Sequence, residues 1–248
     1  MEVNFGTVTG TPRPLSLKTA NAVYVGQIIL GDGSSNRAYI KRVSPEKIAI
    51  EYAIAELTNQ CGLSSPKPVI TNWHGDIVFA SVDANTPSLF SLAKMGDEKS
   101  ILRAINNTET INKVASFDEV ISNPDRNQQN ILIKGDGDVI LIDHECALSS
   151  EKDRPTDKNQ ILEMLKGNIH PGDQLNMHRA FKDIEKHISA FECISTSDVA
   201  NLLYSVNILN YEQRDLFIEY IDFRVANLTQ LLKQQMGITS QIGLNFSA

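Results

Sequence analysis

The stretch from Ser116 to Leu148, SFDEVISNPDRNQQNILIKGDGDVILIDHECAL, constrains this chain more than any other. It reads as the end of a helix, a polar loop carrying Asp125 and Asn130, a strand, a tight Gly135-Asp136-Gly137-Asp138 turn, a second strand, and Asp143 at that strand's end. Two strands paired across a short turn bring the chain back to where it entered. The loop before the first strand and the segment after the second then share one end of the hairpin, and Asp125, Asn130 and Asp143 are expected to converge there. Two carboxylates and a carboxamide form a hard-oxygen set of the kind that suits magnesium and its phosphates.

Bulk properties narrow the setting. A length of 248 residues with 42% hydrophobic side chains can build one large domain or two lobes. A formal charge of -7, with no run of Lys and Arg, disfavours binding to a nucleic-acid backbone. The start, MEVNFGTVTG, lacks the basic and apolar regions of a signal peptide. No run of about 18 apolar residues, the length of a membrane span, occurs anywhere. A soluble, cytoplasmic protein without membrane contact is expected. Cys61, Cys146 and Cys193 are odd in number, lie far apart and lack CxxC spacing, which points to buried thiols and not to disulfides or zinc.

Taken in order, residues 1–43 are β-rich, with strands at Ala22–Leu30 and Arg37–Val43 on either side of a Gly31–Ser35 turn. Thr7–Pro14 reads as an earlier hydroxyl-rich loop; either it or the Gly31–Ser35 turn, with Ser34 and Ser35, could wrap amides around phosphate oxygens. Ser44-Pro45-Glu46 is a helix start, and Gly62, with Pro66 and Pro68 beyond it, ends that helix near Gln60. Glu51 lies beside the helix's apolar stripe of Ile50, Ile54, Leu57 and Cys61, so its charge needs a cationic partner. Lys41, on the preceding strand, is the candidate. Strands at 69–70 and 76–82 come next, and a boundary near residue 85 separates a small β-rich lobe, 1–85, from a larger helical lobe, 86–248. Helices are expected at 97–107, 108–122, 158–168, 174–191, 197–207 and 211–236.

Assembled, these pieces resemble the protein-kinase-like fold: an α+β, two-lobed chain with a Lys-bearing strand, a Glu-bearing helix, and the order Asp125, Asn130, Asp143. The five-residue step from Asp125 to Asn130 follows the kinase D-x-x-x-x-N, and Asp143 follows a hairpin as the D-F-G Asp does. More closely, NPDRNQQNILI, ILIDHECAL and EYAIAELTNQCGLSSPKPVI are similar to segments of HipA-like bacterial kinases, with a further likeness to phosphatidylinositol kinases. The resemblance covers residues 5–150. It implies an ATP- and magnesium-dependent kinase. Asp125 would orient the attacking hydroxyl, Asn130 and Asp143 would hold magnesium, and Lys41, fixed by Glu51, would contact the α/β-phosphates. Adenine would lie near Ser81 to Ala84, with Asp83 in that segment. Ser34 or Ser35 would correspond by position to an autophosphorylated serine.

Two positions depart from the family pattern: Asp143-His144-Glu145 replaces D-F-G, and Asn127 stands where HipA-like kinases usually carry His. Rival local motifs are incomplete. His74-Gly75-Asp76 lacks an Asn five residues on, the acidic 125–136 segment lacks the closing Glu of a calcium loop, and His144-Glu145 lacks a second His. His170, His178 and His187 are scattered over helices. The sequence therefore points first to a HipA-like Ser/Thr protein kinase. A small-molecule or lipid kinase on the same scaffold, or a nucleotide-binding pseudokinase acting through an antitoxin-like or regulatory protein partner, are the other readings. The hydroxyl acceptor is not legible.

Overall fold

Apolar alternation in the first eighty positions produces five strands that close on one another. The computed structural model describes residues 2–15, 21–167, 169–170 and 172–238. Strands β1 (Phe5–Pro14), β2 (Val23–Leu30), β3 (Ser35–Lys41), β4 (Pro68–Trp73) and β5 (Asp76–Val82) run β1-β2-β3-β5-β4 around a small barrel. All neighbours are antiparallel except β1 and β4, whose parallel pairing of Phe5, Gly6 and Thr7 with Ile70, Thr71 and Asn72 closes the ring. Residues two apart face the same side of a strand. Ile28 and Leu30, Ala38 and Ile40, Val78 and Ala80, together with Val69, accordingly fill the interior. The turn between β4 and β5 places His74 and Gly75 at φ 57° and 90°, as a two-residue hairpin turn requires.

Thr7–Pro14, expected as a loop, is most of β1. Its pairing with β2 slips between Thr9 and Arg13, around Gly10 at φ 67°. A bulge accommodates Pro12, which has no N–H to give to a ladder. Beyond Thr7 the strand has β2 on one side only, so Pro14 is tolerated as an edge residue.

Helix α1 (Pro45–Gln60) starts at Ser44, whose side chain accepts from the Lys47 amide, and carries Pro at its first position. It is buried on nearly all sides, not along one stripe: Ile48, Ala49, Tyr52, Ala53, Ile54, Ala55 and Leu57 are all enclosed. The cause is its location. Ile70 and Phe79, on the barrel's outer side, share one core with α1 and with the later helices.

After a short connection come α2 (Leu89–Met95), α3 (Glu98–Asn106) and α4 (Thr108–Val120), then the hairpin β6 (Ile131–Ile133) and β7 (Val139–Leu141). The expected 97–107 and 108–122 helices are present, and α2 is an addition. Helices α5 (Gln160–Lys166), α6 (Gln174–Glu185), α7 (Thr196–Ser205) and α8 (Tyr211–Gln235), with a 3-10 turn at Ile188–Phe191, complete the chain. Asn168, at the end of the expected 158–168 helix, lies outside the described residues. Expectation and structure thus agree on a mixed α+β chain. Among the described residues, no helix is long and apolar enough to cross a membrane.

Candidate active site

The hairpin pairs Ile131 with Leu141, Leu132 with Ile140 and Ile133 with Val139, so its two outer ends lie side by side. It is stitched into the protein by its backbone: the Leu141 amide donates to the Ser64 carbonyl at 2.8 Å and the Ile133 amide to the Pro87 carbonyl at 3.0 Å. The Ile142 amide donates to the Asn130 carbonyl at 3.1 Å, which joins the incoming loop to the outgoing segment.

Arg126 fixes that loop from below. Its guanidinium, fully enclosed, forks onto Asp118 of α4 with Nε and Nη2 each 3.1 Å from Oδ1, and Nη1 donates to the Ile142 carbonyl at 2.7 Å. A buried guanidinium is tolerated only when its donors are matched in this way. Burial pushes the Asp118 carboxyl up, and Arg126 opposes that shift. Arg126 Nη2 also lies 3.2 Å from His144 Nδ1. Since arginine only donates, Nδ1 must accept, so the imidazole proton belongs on Nε2, which faces Ser65 Oγ at 3.5 Å. Burial, reinforced by the charges of Arg126 and Lys41, holds the His144 pKa well below its ordinary value. His144 is therefore a neutral structural member.

The loop itself is tied by short polar bonds. Asn130 Nδ2 donates to the Asp125 carbonyl at 2.7 Å, and Asn127 Nδ2 reaches Asp125 Oδ1 at 3.1 Å. Asn123 Oδ1 accepts from the Asp125 amide at 3.1 Å. With Nδ2 engaged, Oδ1 is the remaining polar atom of the Asn130 side chain.

Across from this loop, Lys41 at the end of β3 is surrounded by carboxylates. Its Nζ bonds Glu51 Oε1, lies 2.6 Å from Asp143 Oδ1, and stands 3.8 Å from Glu145 Oε2. Burial pushes the ammonium's pKa down, but Glu51 and Asp143 outweigh it and hold the group above its ordinary range. Glu51 is saturated, because Oε2 accepts the His144 amide at 2.9 Å. One ammonium facing three carboxylates leaves two negative charges in excess, reduced to one by Lys47, 3.6 Å from Glu145 Oε1. The turn after β7 obtains its tight geometry at Asp143, with φ 60°, and not at residue 145, where D-F-G has Gly. Aspartate enters this left-handed region more readily than most residues.

The structure brings Lys41, Glu51 and Asp143 into direct contact, and the Ile142 amide, next to Asp143, bonds the Asn130 carbonyl at the end of the Asp125 loop. Burial first, then the charges of Asp125, Glu145 and Asp143, push the Cys146 thiol up. Ser81 lies on β5 opposite Tyr39, two residues along from the Lys41–Phe79 pair. Asp83 follows β5 and is tied to Arg37 Nε at 3.1 Å and to the Asn85 amide at 2.8 Å. Ser34 and Ser35 are not brought to the cluster. Ser35 begins β3 at its opposite end, six residues or about 20 Å from Lys41, and Ser34 precedes it. The Lys41 end of the sheet carries instead the start of β2, where Val23 pairs with Lys41 and Asn21 Nδ2 bonds Glu145 Oε1.

Sequence reasoning gave no role to Glu145, Arg126, Asp118 or Asn21. The one available signal was charge in apolar surroundings: Asp118 and Glu119 interrupt the run from Val114 to Ile121 and are wholly buried.

A five-stranded barrel, an enclosed helix carrying Glu51 and a hairpin carrying Asp143 define a kinase-like fold. A crystal structure of the Helicobacter pylori proinflammatory kinase CtkA matches with a TM-score of 0.60 over 97% of this chain and 100% of that one, at 14% identity. That likeness is one of fold, so the chemistry rests on the residues. No protein-family model matches the chain, and no curated protein matches its sequence.

Proposed function

We propose that this chain is an ATP- and magnesium-dependent phosphotransferase, and within that class a HipA-like Ser/Thr protein kinase acting on a hydroxyl. The observation that carries the reading is Lys41 held between Glu51 and Asp143 on the rim that also bears Asp125 and Asn130. Residues 1–85 and 86–248 would then act as two lobes around this cleft, with adenine against the Ser81–Ala84 segment.

The donor set fits magnesium: Asp143 is partly exposed and has a second oxygen to offer, and Asn130 has Oδ1. Asp143 and Asn130 would hold magnesium, which would supply positive charge against that developing on the phosphate. Lys41 turns from Asp143 toward the α/β-phosphates while Glu51 keeps its stem in place. Asp125, steadied by Asn127 and Asn123, orients the acceptor hydroxyl and receives its proton. Positioning and cations supply most of what this reaction needs from a protein.

ATP consumption with magnesium, measured for the parent, Asp125→Ala and Asp143→Ala, tests the reading. Both substitutions are expected to lower kcat by about 10²–10⁴, and Asp143→Ala also to weaken nucleotide binding with magnesium. Unchanged turnover in both would refute the site. A parent that binds magnesium–ATP without turnover would be a nucleotide-binding module working through a protein partner. Radiolabel transfer from ATP in a cell lysate identifies the acceptor and separates a protein from a lipid or small molecule.

A further inference from the structure

Glu145 is the residue that the kinase reading leaves without a task. Its side chain is nine-tenths enclosed, yet Oε2 is buried with no hydrogen-bond partner among the described residues. Lys41 Nζ, 3.8 Å away, is beyond hydrogen-bond distance. An enclosed carboxylate oxygen without a donor is costly, so a bound group should complete it. The carboxylate is also aimed: Oε1 is held by Asn21 Nδ2 and faces Lys47 Nζ at 3.6 Å, which turns Oε2 inward. Ligand oxygens of Glu51, Asp143 and Glu145 all lie within 4.8 Å of one another. Two ligands on one octahedral magnesium stand about 3–4 Å apart, so a small inward movement suffices. Glu51 is excluded as a ligand, because Lys41 and the His144 amide already occupy its two oxygens.

We propose that Glu145 is a direct ligand of the divalent cation, sharing it with Asp143. The proposal rests on the phosphotransferase reading and adds to it a carboxylate where D-F-G has a residue with no side chain. The turn can carry that carboxylate because its left-handed residue is Asp143, which frees position 145 for any side chain. A further consequence concerns Lys41: in the free protein its ammonium stands where positive charge is required, and a bound cation releases it toward phosphate.

Manganese serves as the paramagnetic probe, with free and bound ion distinguished by electron spin resonance, on the full chain without and with ATP. Without nucleotide, Glu145→Gln is expected to raise the manganese Kd on the order of tenfold or more. Glu145→Asp keeps the charge but withdraws the oxygen by one methylene, and should weaken binding as well; a purely through-space charge would survive it. Asn21→Ala removes one of the two groups that hold Oε1 but leaves the ligand oxygen and Lys47 in place, and should weaken binding much less than Glu145→Gln. Glu145→Gln binding manganese as the parent does, while Asp143→Asn does not, would overturn the Glu145 assignment and leave the phosphotransferase reading standing. So would Asn21→Ala weakening binding as much as Glu145→Gln, since the carboxylate would then act only by docking the connection before β2. A parent that binds no manganese with or without ATP overturns both.

Discussion

His144 shows how a single position can be fixed by the groups around it. Arg126 donates to its Nδ1, Ser65 faces its Nε2, Lys41 lies across the same turn, and the His144 amide itself serves Glu51. Fully buried and with two cations beside it, the ring stays neutral. Its folded pKa is depressed below the ordinary 6.5, so as pH falls through that value the unfolded chain takes up a proton that the folded chain refuses. Stability is therefore retained above 6.5 and lost below it. Between pH 7.5 and 5.5 the parent should lose about 1.4 kcal/mol more than His144→Gln, read from urea unfolding at each pH. Equal losses in the two proteins would show that His144 titrates normally. None of this was visible in the sequence, where His144 stood only as a departure from D-F-G. The three residues that enclose it are 18, 79 and 103 positions away, and only folding brings them together.

Elements differ in how plainly the sequence announced them. Helix α1 was legible from its cap, its Pro and its closing Gly, because those signals act within one turn of the chain. The β6–β7 hairpin was legible from two apolar runs around Gly135-Asp136-Gly137-Asp138. Strand β1 was not, since Gly10, Pro12 and Pro14 are loop-forming by local preference and were overruled by pairing with β2. The hairpin turn offers a sharp test. Gly137 sits at φ 96°, and a Cβ there would meet the Arg103 backbone of α3 at 3.2 Å. Gly135, two residues earlier, faces open space. Gly137→Ala should cost about 1–3 kcal/mol in chemical denaturation, against about 0.5 kcal/mol or less for Gly135→Ala. If the two cost the same, the turn does not have the geometry described.

Over the whole molecule, the C-terminal third is bound to the site's foundation through buried charge. Phe217, Ile221, Arg224, Leu228, Leu231 and Leu232 form the enclosed face of α8. In the middle of that face Arg224 reaches the Glu119 carbonyl at 2.6 Å, Glu119 Oε1 at 3.0 Å and the Arg154 carbonyl at 2.7 Å. Glu119 follows Asp118, which holds Arg126, so α8, α4 and the Asp125 loop form one connected support. Arg224→Met would leave Glu119 buried without its cation and should destabilise the fold by about 3–5 kcal/mol. A melting curve like the parent's would show the network to be dispensable. The sequence by itself determined the helices other than α2, the three hairpins and the order Lys41, Glu51, Asp125, Asn130, Asp143, because capping, turn chemistry and periodicity are local. Only the tertiary structure decided that β1 closes a barrel, that the β2–β3 turn lies far from Lys41, and that Glu145 turns inward beside Asp143. Those outcomes depend on which surfaces meet and which charges must share an enclosed space, and residues distant in sequence settle both.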